Sequence, residues 1–226
     1  VLLMHFDNIT NFENATNGSK FTVYDWSLNG NNGTGNTNAS NEGPNWNSSG
    51  GKFGGAFEFD GIEDRIRLVC STPFNKTQNG LTVSLWVYQK TYETQFRRFI
   101  EFSSKTNNRI GWALQQDSYA GGIRWYVENN SVISGIVYGN ASLNLWHNVV
   151  GVWRGTNELE LYVDGAQQVF GNSNSSLPGS IATDGACNLL LGDENLNSGI
   201  ADRNADFNGS IDEVAVWNRS LSSKEI

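Results

Sequence analysis

From about residue 53 onward, apolar side chains return at every second position in short runs, and this period fixes what the chain can fold into. Leu81, Val83, Leu85 and Val87 alternate with Thr82, Ser84, Trp86 and Tyr88. Phe57 and Phe59 do the same, as do Ile110, Trp112 and Leu114, then Ile123, Trp125 and Val127. Residues 149–153 and Leu159, Leu161 and Val163 continue the series. A helix would need its apolar residues three and four apart, whereas a period of two belongs to strands buried on one face. Gly, Asn and Asp divide the runs, and Asp164-Gly165 between two of them is a two-residue hairpin signal. The reading is therefore an all-β chain of antiparallel strands, one domain over residues 1–226.

Two stretches depart from the pattern. After a first strand expected at residues 2–7, residues 8–52 are rich in Asn, Gly, Ser and Thr and predict a long loop region. At the other end, Ser222-Ser223-Lys224-Glu225 fits a capping box, so a helix is expected to start there.

Charge excludes some functions. The formal net charge is −8 and the 15 Lys and Arg form no run, which leaves no basic footprint for a nucleic-acid partner. No apolar stretch reaches membrane-spanning length, so no membrane insertion of this segment is expected. The chain opens at Val1 with no signal-peptide pattern and reads as a mature product or an excised domain. Cys70 and Cys187 are too few for a disulfide framework or a zinc cluster. They are either one disulfide, as an oxidising exterior allows, or two buried thiols.

That exterior is suggested by glycosylation sequons. Asn-X-Ser/Thr occurs at Asn8, Asn14, Asn17, Asn32, Asn38, Asn47, Asn75, Asn129, Asn140, Asn174, Asn208 and Asn218. With 30 Asn and 35 Ser or Thr among 226 residues, chance placement gives about five such motifs rather than twelve. The excess predicts an extracellular or cell-surface glycoprotein.

Six local motifs, in order, carry a resemblance. His5-Phe6-Asp7 opens the series, and residues 25–34 follow as a polar loop. Gly54-Gly55-Ala56-Phe57-Glu58-Phe59-Asp60-Gly61 leads to Asp64-Arg65-Ile66, and then comes the strand Leu81 to Val87. Trp146-His147-Asn148 and Leu161-Tyr162-Val163-Asp164-Gly165 form a central hairpin, and Gly209 to Asn218 with Leu221-Ser222 closes the set. Together they resemble the concanavalin A-like, laminin-G-like jelly-roll domains over nearly the whole chain. The resemblance implies two packed antiparallel sheets.

It also implies a calcium ion. Members hold Ca²⁺ near the chain ends with an Asp of the closing strand and backbone carbonyls, and Asp212 is the matching position. Asp7 and Gly54 are the expected additional donors, a carboxylate and a turn carbonyl, which suits a hard cation seeking oxygen. For a ligand, sugars need aromatic faces and a few fixed polar groups. Gln115, Asp117, Arg124, Tyr126 and Glu128 supply both, because alternation sends Trp125 inward and its neighbours outward. Trp86, Trp146 and Trp217 are expected to serve mostly in packing.

Catalysis fits less well. Glu158 and Glu160 lie two apart on one strand, about 7 Å between Cα atoms. The hydrolase branch of the superfamily alternates three acids, and here Tyr162 stands where the third would be. His5 and His147 have no nucleophile motif beside them. The expected function is thus non-catalytic recognition or adhesion, on glycans or extracellular surface proteins, with a structural Ca²⁺. The alternative is a structural subunit of a glycosylated coat or filament, capable of self-assembly. A glycan hydrolase or lyase ranks third.

Overall fold

The structure, a computed structural model, describes residues 2–7, 21–35, 43–69, 76–77, 80–92, 95–104, 111–118, 122–129, 132–155, 158–174, 181–182, 187–194 and 205–226. The described residues contain β1 (Leu2–Met4), β2 (Thr22–Val23), β3 (Gly33–Gly35), β4 (Asn45–Asn47), β5 (Ala56–Asp60), β6 (Ile66–Val69) and β7 (Lys76–Thr77). They continue with β8 (Leu81–Gln89), β9 (Arg98–Ser104), β10 (Gly111–Gln116), β11 (Gly122–Asn129), β12 (Val132–Asn140) and β13 (Trp146–Trp153). The series ends with β14 (Leu159–Val163), β15 (Ala166–Gln168), β16 (Phe170–Asn174), β17 (Ile181–Ala182), β18 (Cys187–Leu191) and β19 (Asn208–Trp217).

Two antiparallel sheets form the sandwich the sequence predicts. One runs β15-β14-β13-β8-β19-β5-β4, with β1 also pairing β19; the other runs β16-β12-β11-β10-β9-β18-β6-β3-β2. A short ribbon, β7-β17, stands apart. The alternation does the sorting: Leu81, Val83, Leu85 and Val87 of β8 point between the sheets, as do Ile123, Trp125 and Val127 of β11. Trp112 of β10, the strand next to β11, has its ring stacked on Phe102 and tilted against Trp125. Trp125 also packs over Gly151, and its indole N–H donates to the Val152 carbonyl of the opposite sheet at 3.1 Å. Burying an aromatic of this size stabilises the fold by about 3 kcal/mol.

The Asp164-Gly165 turn has φ of 52° and 76°, the left-handed pair that a two-residue hairpin between right-twisted strands demands. At residues 222–226 the box contact is present, the Glu225 carboxylate accepting from both the N–H and the hydroxyl of Ser222. The described residues there make a turn, not a helix.

Three expectations are corrected. The first strand ends at Met4, because Phe6 takes φ 61° and turns the chain out of the sheet before Asp7. Residues 8–52 are more than loop: β2 and β3 pair into the nine-stranded sheet and β4 into the other. Asp25 organises the approach to β3, its carboxylate accepting from the N–H groups of Leu3, Ser27 and Asn31. Burial alone would raise its pKa; these hydrogen bonds outweigh burial and lower it. Finally, Trp86, Trp146 and Trp217 are half-buried on the outer face of the eight-stranded sheet, outside the core. Register puts them there: Trp86 stands opposite Asp212, Trp146 opposite Tyr88 and Trp217 opposite Thr82.

Candidate functional site

The outer face of the nine-stranded sheet carries the residues expected to meet a ligand. Antiparallel register sets Gln115 beside Arg124, and Arg124 beside Tyr138. One row along, Ala113 faces Tyr126, which faces Ile136. These three pack as a small apolar cluster with Tyr138 against its side, separate from the core. Glu128 sits half-buried at the far end of the same strand, and Asp117 is buried just past β10. The Asp117 carboxylate accepts from the Ser118 N–H at 2.6 Å and from its hydroxyl at 3.3 Å.

Two arginines lie in this face under different conditions. Arg98 is fully enclosed by acceptors: Nε donates to Glu101 at 2.6 Å, Nη2 to Glu194 at 3.1 Å, and Nη1 to the Gln115 side-chain oxygen. Burial alone would pull its pKa down, but Tyr126, Glu101 and Glu194 together hold it above the usual value. Arg124 is 8% exposed, and its Nε has no hydrogen-bond partner among the described residues. Its guanidinium carbon lies 3.5 Å from the centre of the Phe96 ring and 5.2 Å from that of Tyr126. Burial, with Arg98 nearby, lowers its pKa. Burial pushes the Tyr126 phenol up to about 12.

Arg98, Phe96 and Tyr138 were not identified in the sequence. A bulge between Leu114 and Gln115 makes Phe99 an extra residue, so Phe99 and Ile100 both enter the core and Arg98 loses its alternation signal. Tyr138 stands two after Ile136 on β12, and its outward position follows only once Arg124 is known to face it.

The residues expected to hold calcium also come together. Asp7 and Asp212 grip the same glycine-rich turn at residues 51–55. The Asp7 carboxylate accepts from the Gly55 N–H at 3.1 Å and lies so close to Gly54 that any Cβ there would come within 2.2 Å of it. Gly54 has φ 73°, which also favours glycine. Asp212 is 0% exposed and accepts from the N–H groups of Phe53 at 3.0 Å and Glu213 at 2.8 Å. Left-handed φ values at Phe6 (61°) and Glu213 (50°) place backbone strain next to both aspartates. Burial raises Asp212 to about 7, and among the described residues no basic side chain pairs with it. Two carboxylates suit calcium, and the Gly54 carbonyl, the expected third donor, accepts from the Gly51 N–H at 3.0 Å. Among the described residues there is no cluster of three or more His, Cys, Asp or Glu side chains placed to hold a metal, so carbonyls would have to complete the set.

Other candidates are occupied. Glu160 is clamped by Arg154, whose Nε donates to it at 2.9 Å, and by the Tyr162 hydroxyl at 3.0 Å, while Glu158 is exposed. His147 links Ser142 (3.0 Å) to Asp164 (2.7 Å), an order of groups that hydrolase triads share. Asp164 also accepts from the Asn148 N–H at 2.9 Å, so the set fastens the β14–β15 hairpin to the preceding loop. Cys70 lies outside the described residues, and so does the question of its pairing with Cys187. So do the sequons at Asn8, Asn14, Asn17, Asn38 and Asn75, and the side chains of Asn129 and Asn174. Of the rest, Asn140 and Asn218 are exposed, Asn208 is half-buried, and the side chains of Asn32 and Asn47 are hydrogen-bonded to Asp25 and Glu58.

Comparison with known proteins agrees with this fold. No curated protein sequence matches the chain. Among solved structures, the ligand-binding domain of botulinum neurotoxin serotype D in complex with N-acetylneuraminic acid is similar over 100% of this chain and 48% of its own, at 16% identity and TM-score 0.67. The binding domain of Paraclostridial Mosquitocidal Protein 1 is similar over 99% of this chain and 50% of its own, at 14% identity and TM-score 0.66. A heptameric SAP-like pentraxin from Limulus polyphemus matches 74% of this chain and 77% of its own, at 18% identity and TM-score 0.56. The chain thus spans about half the length of the toxin domains, and at these identities the likeness is one of fold. A family model described as the concanavalin A-like lectin/glucanases superfamily matches residues 60–226. With well over half of its residues inside that match, the chain belongs to the concanavalin A-like lectin/glucanases superfamily.

Proposed function

We propose that this chain is a non-catalytic extracellular recognition module that binds glycans on the outer face of its nine-stranded sheet. The observation that carries the reading is the meeting of Gln115, Arg124, Tyr126 and Tyr138 on one face. Tyr138, half-buried, offers ring surface against the C–H face of a sugar and Arg124 a polar group beside it, while Tyr126 and Gln115, 4% and 0% exposed, are buried next to them. Support comes from two of the similar structures, one in complex with N-acetylneuraminic acid and one concerning the interaction of botulinum neurotoxin type C with two ganglioside molecules. The exposed sequons at Asn140 and Asn218 favour a place outside the cell. The clamping of Glu160 by Arg154 argues against a hydrolytic pair with Glu158.

Within this module Asp212 and Asp7 would serve a structural Ca²⁺, with turn carbonyls completing the set. A buried carboxylate with no cationic partner is the feature that such an ion would relieve. The test is a glycan-binding screen of the intact chain beside its Tyr138→Ala variant, with thermal melts in Ca²⁺ and in chelator. Binding lost in the variant, with the melt unchanged, supports the site. A melt lowered by chelator, with that sensitivity absent in Asp212→Ala, supports the ion. Concentration-dependent polymers without sugar binding would overturn the recognition reading in favour of a coat or filament subunit.

A further inference from the structure

We infer that the glycan taken by this face is acidic, its ring bearing a carboxylate or a sulfate, and that Arg124 is the residue that recognises the charge. The inference rests on the glycan reading above and names its ligand class.

The contrast between the two arginines carries it. Both are buried in the same face, within the same sheet. Arg98 has two glutamates and an amide oxygen around its guanidinium. Arg124 makes no ion pair among the described residues, and its Nε donates to nothing there. Asp117, a nearby carboxylate, already has one oxygen bonded twice to Ser118. A cation taken out of water without a counter-charge is costly, and the cost is relieved when an anion arrives.

The aromatic rings decide how that anion would be met. The guanidinium carbon of Arg124 lies over the Phe96 ring, 3.5 Å from its centre, and 5.2 Å from the centre of the Tyr126 ring. Stacking occupies the face of a guanidinium but leaves its N–H edge, where all five donors lie in one plane. That edge matches a planar carboxylate or two oxygens of a sulfate through paired hydrogen bonds. Beside it stands Tyr138, the partly exposed ring packed against the buried Ala113, Tyr126 and Ile136, and the sugar ring can rest on it. A neutral sugar could use that ring but would leave the fork unmatched. The site therefore discriminates by charge, not by ring contact alone.

The experiment is isothermal titration of the intact chain with sialyllactose, a sulfated lactose, and lactose itself, at low and at physiological salt. The two acidic sugars should bind at least about tenfold tighter than lactose, with the margin shrinking as salt rises. Arg124→Gln should bring all three to the affinity of lactose. Arg124→Lys keeps the charge but not the fork, and should lose most of the preference; it also guards against a fold defect, checked by its melt. Preference for sialyllactose alone assigns a carboxylate, and for the sulfated sugar alone a sulfate. Equal binding of all three, unchanged in Arg124→Gln, overturns this inference while leaving glycan recognition standing. Absence of binding by every sugar overturns both.

Discussion

Removing the Arg98 side chain should expose how much of the nine-stranded sheet depends on buried charge. In Arg98→Met a flexible apolar chain of similar length replaces the guanidinium. Glu101, 4% exposed, and Glu194, 1% exposed, then lose the cation that balances them, and the Gln115 oxygen loses a donor. Breaking a buried ion pair from one side costs about 3–5 kcal/mol, because a charge is left behind in a medium that cannot solvate it. In urea, with a slope of about 3 kcal/mol per molar for a chain of this size, the midpoint should fall by roughly 1–2 M. Replacing the whole group is different: Arg98→Met with Glu101→Gln and Glu194→Gln removes both signs of charge and should recover much of that loss. The pH dependence gives a second signature. In the single variant the two buried carboxylates are left without a counter-charge, a cost that falls only on their charged forms. Their cost is then absent at low pH and grows as pH rises, so the deficit of Arg98→Met should be smaller at pH 5 than at pH 8. A single variant losing less than about 1 kcal/mol, or a triple variant no more stable than the single one, would refute the reasoning.

Three other outcomes follow from the same geometry. In chelator the wild-type chain should unfold at higher urea at pH 5 than at pH 8: burial raises Asp212 to about 7 and raises Asp64 as well, so the folded state holds protons that the unfolded chain has released, and stability falls as pH climbs from about 4 to 7; the opposite order would count against both assignments. Gly151→Ala should lower stability by about 1–3 kcal/mol in a urea titration, since its Cβ would lie 2.5 Å from the Trp125 ring and the two sheets would have to part. Asp164→Ala removes acceptors of His147 and of the Asn148 N–H, so amide exchange in β14 and β15 should quicken, by an amount matching about 1–2 kcal/mol, with little change in β10 and β11.

Much of the architecture can be read from residue types alone. The run from Leu81 to Tyr88 predicts its own faces, and Trp125 goes inward while Arg124 and Tyr126 go outward, as alternation requires. Asp164-Gly165 predicts its turn because few other pairs accept two positive φ values. What escapes is whatever depends on a partner distant in the chain. β2, β3 and β4 are two or three residues long, too short to show a period, and exist because a neighbouring strand offers hydrogen bonds. Arg98 is hidden by the bulge at Phe99. Trp86 and Trp146 look like core residues by size, yet register places them on the outer face. The pairing of Asp7 with Asp212 across one turn comes from the family resemblance, not from spacing.

The position of β19 has a consequence for how such a chain is made. It is last in order among the strands of the described residues, yet it lies inside its sheet, bonded to β8 on one side and to β5 and β1 on the other. On a ribosome, β5 and β8 emerge long before the strand that joins them, so the eight-stranded layer stays in two halves until residues 208–217 appear. Meanwhile the apolar faces of β5 and β8 have no complete layer to close over them, and the exposed flanks of both invite pairing with other chains. Folding should be slow and late, as contacts between distant residues require. Cells making this domain would be expected to hold its nascent chain with chaperones until that strand is released.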